Sequence, residues 1–370
     1  MSHKRPEELK ETAKTLLEEY LPQKDTMKAK QRIGIPVQDM PAQDPIVRIG
    51  NLDEVALGYS EEQAKLEALR CTQCKKRPCI EACPVKIDIP GFIQHIADGE
   101  FQKSIDVIKQ SSLLPAICGR VCPQEVQCQQ PCTVSKSLKD VAKGVSIGRL
   151  ERFAADWEQA NGSVKIPEVK PETGKKVAVI GAGPAGLVVA ADVRREGHAV
   201  TIFEAFHKPG GVVRYGIPEF RLPNTIIDQE VRTLTSMGVE FKTNFVVGKT
   251  RKLEDLLKKD GYDAAFVGSG AGLPIFMGVE GENLIGVFSA NEYLTRANLM
   301  RAYDRENADT PIYESKKVAV FGGGYVAMDA ARMAKRLGAE EVYVVYRRTE
   351  NEMPARNEEI EHAKEEGIEF

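Results

Sequence analysis

The sequence predicts an α-helical N-terminal domain that holds a cysteine-bound redox centre, followed by an α/β region with two dinucleotide-binding sites. Three observations support this prediction. All eight cysteines of the 370-residue chain lie between Cys71 and Cys132. Two glycine-rich turns, at 181–186 and 322–327, each follow a short apolar run and open a helical pattern. Between the cysteines and the first turn, residues 161–174 are rich in proline and turn formers, as expected of a linker.

Composition and charge argue against several classes of function. The 51 Lys and Arg nearly balance the 54 Asp and Glu, so no broad basic field indicates binding to nucleic acid or to an anionic membrane. The longest uncharged run, Val177–Ala191, is shorter than the ~18 residues of a membrane-spanning helix. The N-terminal residues contain no apolar signal-peptide core. We therefore expect a soluble, cytoplasmic protein.

The N-terminal domain, predicted over residues 1–165, is expected to be helical. Apolar residues recur at helical spacing in 6–20, and 60–70 is predicted to be a helix that leads directly to Cys71. Residues 89–110 predict two helices joined at Asp98-Gly99, and residues 147–160 predict a further helix.

The cysteines form two quartets with short spacings. The first reads C-x2-C-x4-C-x3-C-P and the second C-x3-C-P-x4-C-x3-C. Their members are Cys71, Cys74, Cys79 and Cys83, then Cys118, Cys122, Cys128 and Cys132. In a reducing cytosol dense cysteines more often bind metal than form disulfides. Zinc sites usually combine two C-x2-C pairs, whereas here only the first two cysteines have that spacing, so the pattern favours iron–sulfur clusters.

The first glycine-rich turn belongs to a predicted FAD-binding domain, of which residues 173–279 are the first part. A strand at 175–180, a helix through Arg194 and a strand at 199–203 surround the turn. Its glycines permit a tight turn, close approach of a pyrophosphate and close helix–strand packing, and the helix N-terminus offers free N–H groups. Glu204, at the end of the second strand, can accept hydrogen bonds from ribose hydroxyls. The candidate residues of the turn are Gly181, Gly183, Pro184, Ala185 and Gly186.

The second turn repeats the pattern in a predicted NADP-binding domain over residues 280–370. A strand at 317–321, a helix at 326–337 and a strand at 341–346 are expected around it. The second strand ends in Arg347 and Arg348 instead of an acid, and guanidinium groups can pair with a 2′-phosphate. This favours NADP over NAD, the alternative being two arginines at a solvated strand end. The candidate residues of the turn are Gly322, Gly323, Gly324, Tyr325 and Val326.

Two unlike nucleotide sites beside a metal centre predict an electron-transfer enzyme. FAD can take a hydride from NADPH and pass electrons singly to iron–sulfur clusters. Such a converter needs no general base, and the five histidines form no ligand-like cluster. We therefore predict no catalytic side chain of the nucleophile or base type.

This order of sites resembles the small (beta) subunit family of NADPH-dependent glutamate synthase. Related proteins include the FAD subunit of electron-bifurcating NADH-dependent ferredoxin:NADP oxidoreductase, sulfide dehydrogenase and the N-terminal half of dihydropyrimidine dehydrogenase. The resemblance runs from about Met40 to the last residue and includes five motifs. These are Cys71-Thr-Gln-Cys74, Cys118-Gly-Arg-Val-Cys122-Pro, Ile147-Gly-Arg-Leu-Glu151, the stretch from Gly211 to Pro223, and Glu352-Met-Pro-Ala-Arg356.

The resemblance implies a Rossmann-like, glutathione-reductase-type flavoprotein with two 4Fe-4S clusters whose ligands interleave the quartets. One cluster takes Cys71, Cys74, Cys79 and Cys132, and the other takes Cys83, Cys122, Cys128 and Glu151. Cys118 is then not a ligand, although the eight cysteines would by themselves fill two cages. By the same resemblance Gly211, Val212, Arg221 and Val247 contact FAD, and Arg347, Arg348 and Arg356 meet NADP(H).

The implied activity is NADPH oxidation for L-glutamate biosynthesis, with electrons passed to a glutamate synthase large subunit or another electron-accepting subunit, ferredoxin included. The enzyme alternative is the FAD subunit of the bifurcating oxidoreductase or of sulfide dehydrogenase. A non-catalytic assembly module with zinc-filled cysteines is the third hypothesis. Residues 367–370 read as the start of another strand, so the second α/β domain is expected to be C-terminally incomplete.

Overall fold

The computed structural model describes residues 4–162 and 164–370. Along the chain its α-helices are α1 (Pro6–Tyr20), α2 (Ala29–Gly34), α3 (Pro45–Arg48), α4 (Glu61–Leu69), α5 (Pro78–Ala82), α6 (Ile89–Ala97), α7 (Phe101–Lys109), α8 (Pro115–Val121), α9 (Thr133–Leu138), α10 (Ile147–Ala160), α11 (Pro184–Arg195), α12 (Val212–Tyr215), α13 (Asn224–Ser236), α14 (Leu253–Lys258), α15 (Ala290–Asn298), α16 (Tyr325–Arg336) and α17 (Asn357–Glu365). Its strands are β1 (Lys176–Ile180), β2 (Ala199–Phe203), β3 (Glu240–Lys242), β4 (Ala264–Val267), β5 (Lys317–Phe321) and β6 (Glu341–Val345).

The chain divides into two compact units. The first comprises Met1–Asp44 and Glu54–Lys165, and the second comprises Pro45–Asp53 and Ile166–Phe370. The boundary at 165/166 lies inside the predicted linker. No helix among the described residues is long and apolar enough to cross a bilayer.

The first unit is helical, as predicted, and its core lies between α6, α7, α8 and α10. Helix α6 buries Phe92 and Ile96 fully, and α7 buries Ile105 and Ile108 against the same core. The two helices are joined through Gly99, whose φ of +76° allows the sharp reversal that the sequence predicted there. This packing gives a rigid support for the cysteine-bearing loops between the helices.

The second unit contains a four-stranded parallel sheet in the order β3-β2-β1-β4. In the register, Val179 pairs with Ile202 on one side and with Phe266 on the other. Helix α11 returns the chain from β1 to β2. The carboxyl end of β1 leads into the first glycine turn, so the sheet positions that turn beside the end of β2.

A second parallel sheet pairs β5 with β6, and α16 connects them. Glu369 forms a parallel bridge with Tyr343 of β6, which confirms that the last residues begin another strand. The apolar cluster below this sheet includes Met328, Val342 and Ile360, all at most 3% exposed. The two-sheet α/β fold expected from the glycine turns is confirmed.

One part of the second unit was not predicted. Residues 45–53, which include α3, lie well before the linker in sequence yet belong to the dinucleotide-binding unit. The sequence offered only a proline-containing connector at 35–45 in this region. Arg48 of this segment is fully buried, so the segment is an integral part of the unit's interior.

Candidate nucleotide and iron–sulfur sites

The turn after β1 is held by contacts that only glycine permits. Gly181 has a φ of +102°, and a Cβ there would lie 2.5 Å from the carbonyl oxygen of Gly268. A Cβ on Gly186 would lie 1.9 Å from the carbonyl oxygen of Gly181. Helix α11 therefore meets the turn at backbone contact distance, beginning at Pro184 with Gly183 as its N-cap. Its first-turn N–H groups have no intrahelical partners and favour a pyrophosphate.

Glu204 fixes this turn to the end of β2. One carboxylate oxygen accepts the N–H of Ala182 at 2.8 Å, and the other accepts the N–H of Phe206 at 2.8 Å. The side chain is nearly fully buried. A carboxylate oxygen has more than one acceptor position, so each retains capacity for a ribose hydroxyl. The residue therefore has a structural role that sequence reasoning missed, in addition to the predicted contact with ribose.

The glycine pair Gly210-Gly211 lies against the turn after β1. Gly211 has a φ of +58°, and a Cβ there would lie 2.7 Å from the Cα of Gly183. The N–H of Gly210 donates to the carbonyl of Ala182 at 2.9 Å. Val212, the first residue of α12, is half-exposed beside this contact. Two strips of backbone without side chains thus face one another, which fits the pyrophosphate of FAD.

The other two residues assigned to FAD by resemblance lie in different surroundings. Val247 packs against the apolar cluster around Phe203 at the end of the first sheet. Arg221 is buried, and its guanidinium donates to both carboxylate oxygens of Asp329 at 2.8 and 2.7 Å. Its Nε lies 3.1 Å from an oxygen of Glu359. The FAD contact of Arg221 remains a prediction, because its charged group already pairs with α16 and α17.

The turn after β5 is less tightly packed than the first. Gly322 has a φ of +147°, and a Cβ on Gly323 would lie 2.8 Å from the ring of Tyr346. Gly324 is the N-cap of α16, which begins with Tyr325 and the half-exposed Val326. The tight contact of the first turn is relaxed here, because the position equivalent to Gly186 already carries the side chain of Ala327.

The arginines after β6 have unequal environments. Arg347 and Arg348 are exposed, and within the described residues neither forms an ion pair. Arg356, the N-cap of α17, is largely buried, and its guanidinium lies 2.6 Å from a carboxylate oxygen of Glu358. The first two arginines are therefore accessible to a phosphate, whereas the third already has an anionic partner.

The cysteines come together across the two quartets. We call Cys71, Cys74, Cys79 and Cys132 the Cys132 group. Burial, and then repulsion from the Cys132 and Cys74 thiolates, raises the pKa of Cys71 to about 11. Burial and the thiolates of Cys71, Cys132 and Cys74 raise the pKa of Cys79 to about 12. Cys132 of the second quartet therefore lies with three members of the first, as the interleaved assignment requires.

The other candidate ligands, together with Cys118, form the Glu151 group: Cys83, Cys118, Cys122, Cys128 and Glu151. Burial, followed by the charges of Glu151, Cys122 and Cys83, raises the pKa of Cys128 far above its ordinary value. Burial, and then Glu151 and Cys122, raises the pKa of Cys118 to about 12. The group therefore holds five side chains of ligand type. Over residues 4–162 and 164–370, no three His, Cys, Asp or Glu side chains converge closely enough to hold a single metal ion.

Glu151 has the environment expected of a metal ligand. It is buried on α10, one of its carboxylate oxygens has no hydrogen-bond partner, and burial raises its pKa to about 8. A buried polar atom without a partner is rare in native structures. Helices α8 and α10 cross closely here, because a Cβ on Gly119 would lie 2.5 Å from the backbone N of Arg152. Cys118 and Glu151 precede these two residues and the charge of Glu151 acts on Cys118, so the two candidates for the eighth ligand lie near each other, and both are donors of a type that an iron–sulfur cluster can take.

A buried ion pair that sequence reasoning missed supports the Cys132 group. Arg70, the residue before Cys71, donates to Glu67 at 2.6 Å and to the carbonyl of Gly144 at 2.6 Å. Glu67 in turn accepts the N–H of Ser146 at 2.8 Å. The pair ties the end of α4 to the start of α10. A charged Arg immediately before the first cysteine was the available signal, but its burial could not be inferred from sequence.

Comparison with known proteins identifies the family. Residues 48–163 match the family model "dihydropyrimidine dehydrogenase domain II, 4Fe-4S cluster", and residues 175–370 match "pyridine nucleotide-disulphide oxidoreductase". The chain is 37% identical over 348 residues to the glutamate synthase [NADPH] small chain of Escherichia coli K12, covering 92% of this chain and 71% of that protein. It belongs to the glutamate synthase small-chain family.

Other proteins of this wider group have similar sequence identity to the chain. The NAD-dependent dihydropyrimidine dehydrogenase subunit PreT of Escherichia coli O157:H7 is 38% identical over 86% of this chain and 73% of its own length. The NADPH-Fe(3+) oxidoreductase subunit beta of Geobacter sulfurreducens is 39% identical over 79% of this chain and 42% of its own. The chain is thus an NADPH-dependent oxidoreductase with a 4Fe-4S domain and an FAD- and NADP-binding domain.

Proposed function

We propose that this chain is the NADPH-oxidising electron-input subunit of a glutamate synthase. It passes electrons from NADPH through FAD and two 4Fe-4S clusters to a large subunit, which uses them to make L-glutamate. The observation that carries the proposal is the similarity to glutamate synthase small chains along nearly the whole sequence. The grouping of the cysteines supports the iron–sulfur part of the proposal.

The chain's own residues have distinct roles in this function. FAD, when bound, converts the two-electron chemistry of NADPH into one-electron transfers. The N-terminus of α11 would bind the FAD pyrophosphate, and Glu204 would accept hydrogen bonds from its ribose. Gly211 keeps side chains away from the same pyrophosphate. No general base among the site residues is required.

The ligand sets are those that the family resemblance implies, and the two groups are compatible with them. Cys71, Cys74, Cys79 and Cys132 would hold one cluster. Cys83, Cys122, Cys128 and Glu151 would hold the other, leaving Cys118 outside. The unpartnered carboxylate oxygen of Glu151 favours it over Cys118 as the eighth ligand, because a bond to iron would satisfy that buried atom.

Anaerobic purification, followed by iron, acid-labile sulfide and flavin analysis, tests this assignment. We expect about eight irons and one FAD per chain, and bleaching of both flavin and cluster absorption on addition of NADPH. Glu151→Ala should lower the iron content by about four irons per chain, or should change the electron paramagnetic resonance signal of the cluster that Glu151 would ligate. Cys118→Ala should leave both unchanged. Zinc without flavin in the wild-type protein would contradict the proposal.

Arg347 is expected to select NADPH over NADH. Arg347→Glu places a carboxylate where the guanidinium would pair with the 2′-phosphate, so kcat/KM for NADPH should fall about a hundredfold, or about 2.7 kcal/mol. The value for NADH should change less than about threefold. Lys249→Glu, an equal charge change at an exposed residue of the first α/β domain, is the matched control. Equal losses with the two nucleotides would refute the phosphate contact.

A second candidate is an electron-input subunit for a different acceptor. This candidate is supported by the similarity to PreT and to the Fe(3+) oxidoreductase subunit, which is comparable to the similarity to glutamate synthase small chains. Mixing the chain with a glutamate synthase large subunit separates the two. Glutamine- and 2-oxoglutarate-dependent NADPH oxidation supports the first candidate, and its absence in a complex that forms supports the second.

A further inference from the structure

Exposed cations surround the Cys132 group. Residues 71–90 contain four cationic and two acidic side chains, and residues 127–146 contain three cationic and one acidic. The chain as a whole has a net charge of −3, so this region has the opposite sign to the rest. We define the basic rim as the six exposed residues Lys75, Lys76, Arg77, Lys86, Lys136 and Lys139.

The rim residues are adjacent to the group in the chain and in the fold. Lys75 to Arg77 lie between two of its cysteines, Cys74 and Cys79, and Lys136 lies one helical turn after Cys132. Arg70 bonds to the carbonyls of Lys143 and Gly144 at 2.6 Å, which holds the second segment against the first. The two basic stretches therefore border one set of thiols. Cys71 and Cys74 are themselves only partly buried.

Most of this charge is not neutralised locally. Lys75, Lys76, Lys136 and Lys139 form no ion pair within the described part of the chain. Arg77 has only a long, exposed contact of 3.4 Å with Asp88. In the Glu151 group the nearby Arg120 is buried and lies 2.7 and 2.8 Å from two carboxylates. Lys86 pairs with Glu81 at 3.1 Å, so the unneutralised charge of the rim lies mainly with its four unpaired lysines, which follow Cys74 and Cys132 in the chain.

The backbone of the rim is unusual in the same places. Six described non-glycine residues have a positive φ, and four of them are Gln73, Arg77, Lys86 and Lys139, at +49°, +42°, +56° and +53°. Such a conformation costs of order 1 kcal/mol for a residue with a side chain. Three of the four are cations of the rim. Arg77 is the N-cap of α5 and Lys139 is the C-cap of α9, so these positions set where the two cysteine-bearing segments turn.

We propose that the basic rim is the docking surface for an acidic iron–sulfur electron-carrier protein that exchanges electrons with the cluster that the Cys132 group would hold. This rests on the proposed transfer of electrons from NADPH to the clusters, and it adds a soluble carrier protein to the large subunit as an electron acceptor. Each docking event transfers one electron, so NADPH and two oxidised carriers yield NADP⁺, one proton and two reduced carriers. Complementary charge would steer the carrier to the partly exposed cysteines and would make association dependent on salt.

Binding of an acidic plant-type [2Fe-2S] ferredoxin to the cofactor-loaded protein tests the proposal. The variant Lys75→Glu/Lys76→Glu/Lys136→Glu reverses three unpaired rim charges. Its Kd should rise at least thirtyfold at low ionic strength, and the wild-type Kd should rise steeply with added salt. The control Lys10→Glu/Lys14→Glu/Lys249→Glu makes the same charge change at exposed residues outside the rim and should alter Kd less than threefold. Basic cytochrome c should show no loss of binding to the rim variant.

The outcomes separate this inference from the function it rests on. The rim variant should catalyse the reduction of a neutral dye by NADPH at the wild-type rate. Such a rate shows that the variant is folded and carries its cofactors. If NADPH reduces flavin and clusters normally while ferredoxin binds equally to both triple variants, or not at all, the docking surface is refuted and the oxidoreductase stands. If NADPH reduces neither flavin nor clusters in the wild type, the proposed function itself fails.

Discussion

Replacing Gly186 with alanine is expected to abolish FAD binding while leaving the iron content of the helical unit unchanged. The added Cβ would lie 1.9 Å from the carbonyl oxygen of Gly181, and no side-chain rotation can relieve this contact, because the oxygen is a backbone atom and the Cβ position is fixed by the backbone of residue 186. Either α11 or the glycine turn must move. Either movement displaces the first-turn N–H groups from the pyrophosphate. We expect the FAD content of the purified protein to fall at least tenfold.

Gly183→Ala is the matched control for this prediction. A Cβ on Gly183 would find its nearest neighbour at 3.9 Å, so the methyl group fits the fold but occupies the approach of the pyrophosphate. This variant should keep the wild-type melting temperature without flavin and bind FAD more weakly, whereas Gly186→Ala should lose both. Retention of full FAD content by Gly186→Ala would show that the turn is more plastic than its packing indicates.

The two turns also show why one fingerprint has different requirements in its two copies. In the second turn the position equivalent to Gly186 is Ala327, and its Cβ lies 3.3 Å from the Cβ position of Gly322. Helix α16 therefore stands farther from its turn than α11 does. A substitution of Ala327 by glycine should be tolerated, since it removes an atom instead of adding one. The sequence pattern alone gives both copies the same description.

Much of the fold could be predicted because its signals are local. The strand–turn–helix units at β1 and β5 and the helices α1, α6, α7 and α10 follow from apolar spacing and glycine placement, which act within a few residues. The interleaving of the cysteines could not be obtained from spacing, because eight thiols fill two cages in several ways. It came from the family resemblance, and the placement of Cys132 beside Cys71 agrees with it.

What the sequence did not predict depends on contacts between distant segments. Arg48 lies on α3, yet it pairs with Glu365 and Glu366 at the other end of the chain, at 2.8 Å each. Arg221, assigned to FAD by resemblance, pairs with Asp329 and Glu359. No periodicity or motif marks an arginine as buried, because long-range ion pairs leave no local pattern. The same limit applies to Arg70 beside the Cys132 group.

The largest stability effect is expected at Glu366, the centre of this network. Its carboxylate accepts from three guanidinium groups, those of Arg48, Arg332 and Arg336, and the shortest contact of each is 2.7 to 2.8 Å. The Glu366, Arg48 and Arg332 side chains are fully buried. Glu366→Gln keeps the shape but leaves three buried cations without their shared anion. We expect the free energy of unfolding of the second unit to fall by about 3–5 kcal/mol.

Glu365→Gln provides a control one residue away. The Glu365 side chain is 38% exposed, and among the residues that the structure describes it forms an ion pair only with Arg48. Its loss should therefore cost less than about 1 kcal/mol. Urea titrations followed by far-ultraviolet circular dichroism and by release of FAD fluorescence measure both variants. Equal destabilisation by the two variants would show that the network acts as diffuse surface charge and not as a buried centre.

The pH dependence of the unfolding free energy gives an independent measure of what the Glu366 carboxylate contributes to stability. Although burial opposes ionisation, the guanidiniums of Arg332 and Arg336 hold the pKa of Glu366 far below its ordinary value. A lowered pKa stabilises the folded state fully above the unfolded value of about 4.3, and that stability is lost as the pH falls below it. Burial also lowers the pKa of His362 to about 4, so a separate loss between about pH 6.5 and 4 is expected in every variant that retains the histidine.

Comparing wild type and Glu366→Gln across pH therefore isolates the Glu366 contribution. Between pH 7 and 5 the two plots of unfolding free energy against pH should run parallel, separated by the free energy that the missing charge costs. Below about pH 4 the wild-type curve should fall toward that of the variant, because the unfolded chain takes up a proton at Glu366 while the folded state keeps this carboxylate ionised. Curves that stay parallel down to pH 2 would mean that Glu366 has the same pKa in the folded and unfolded states, contrary to the arrangement of the three arginines.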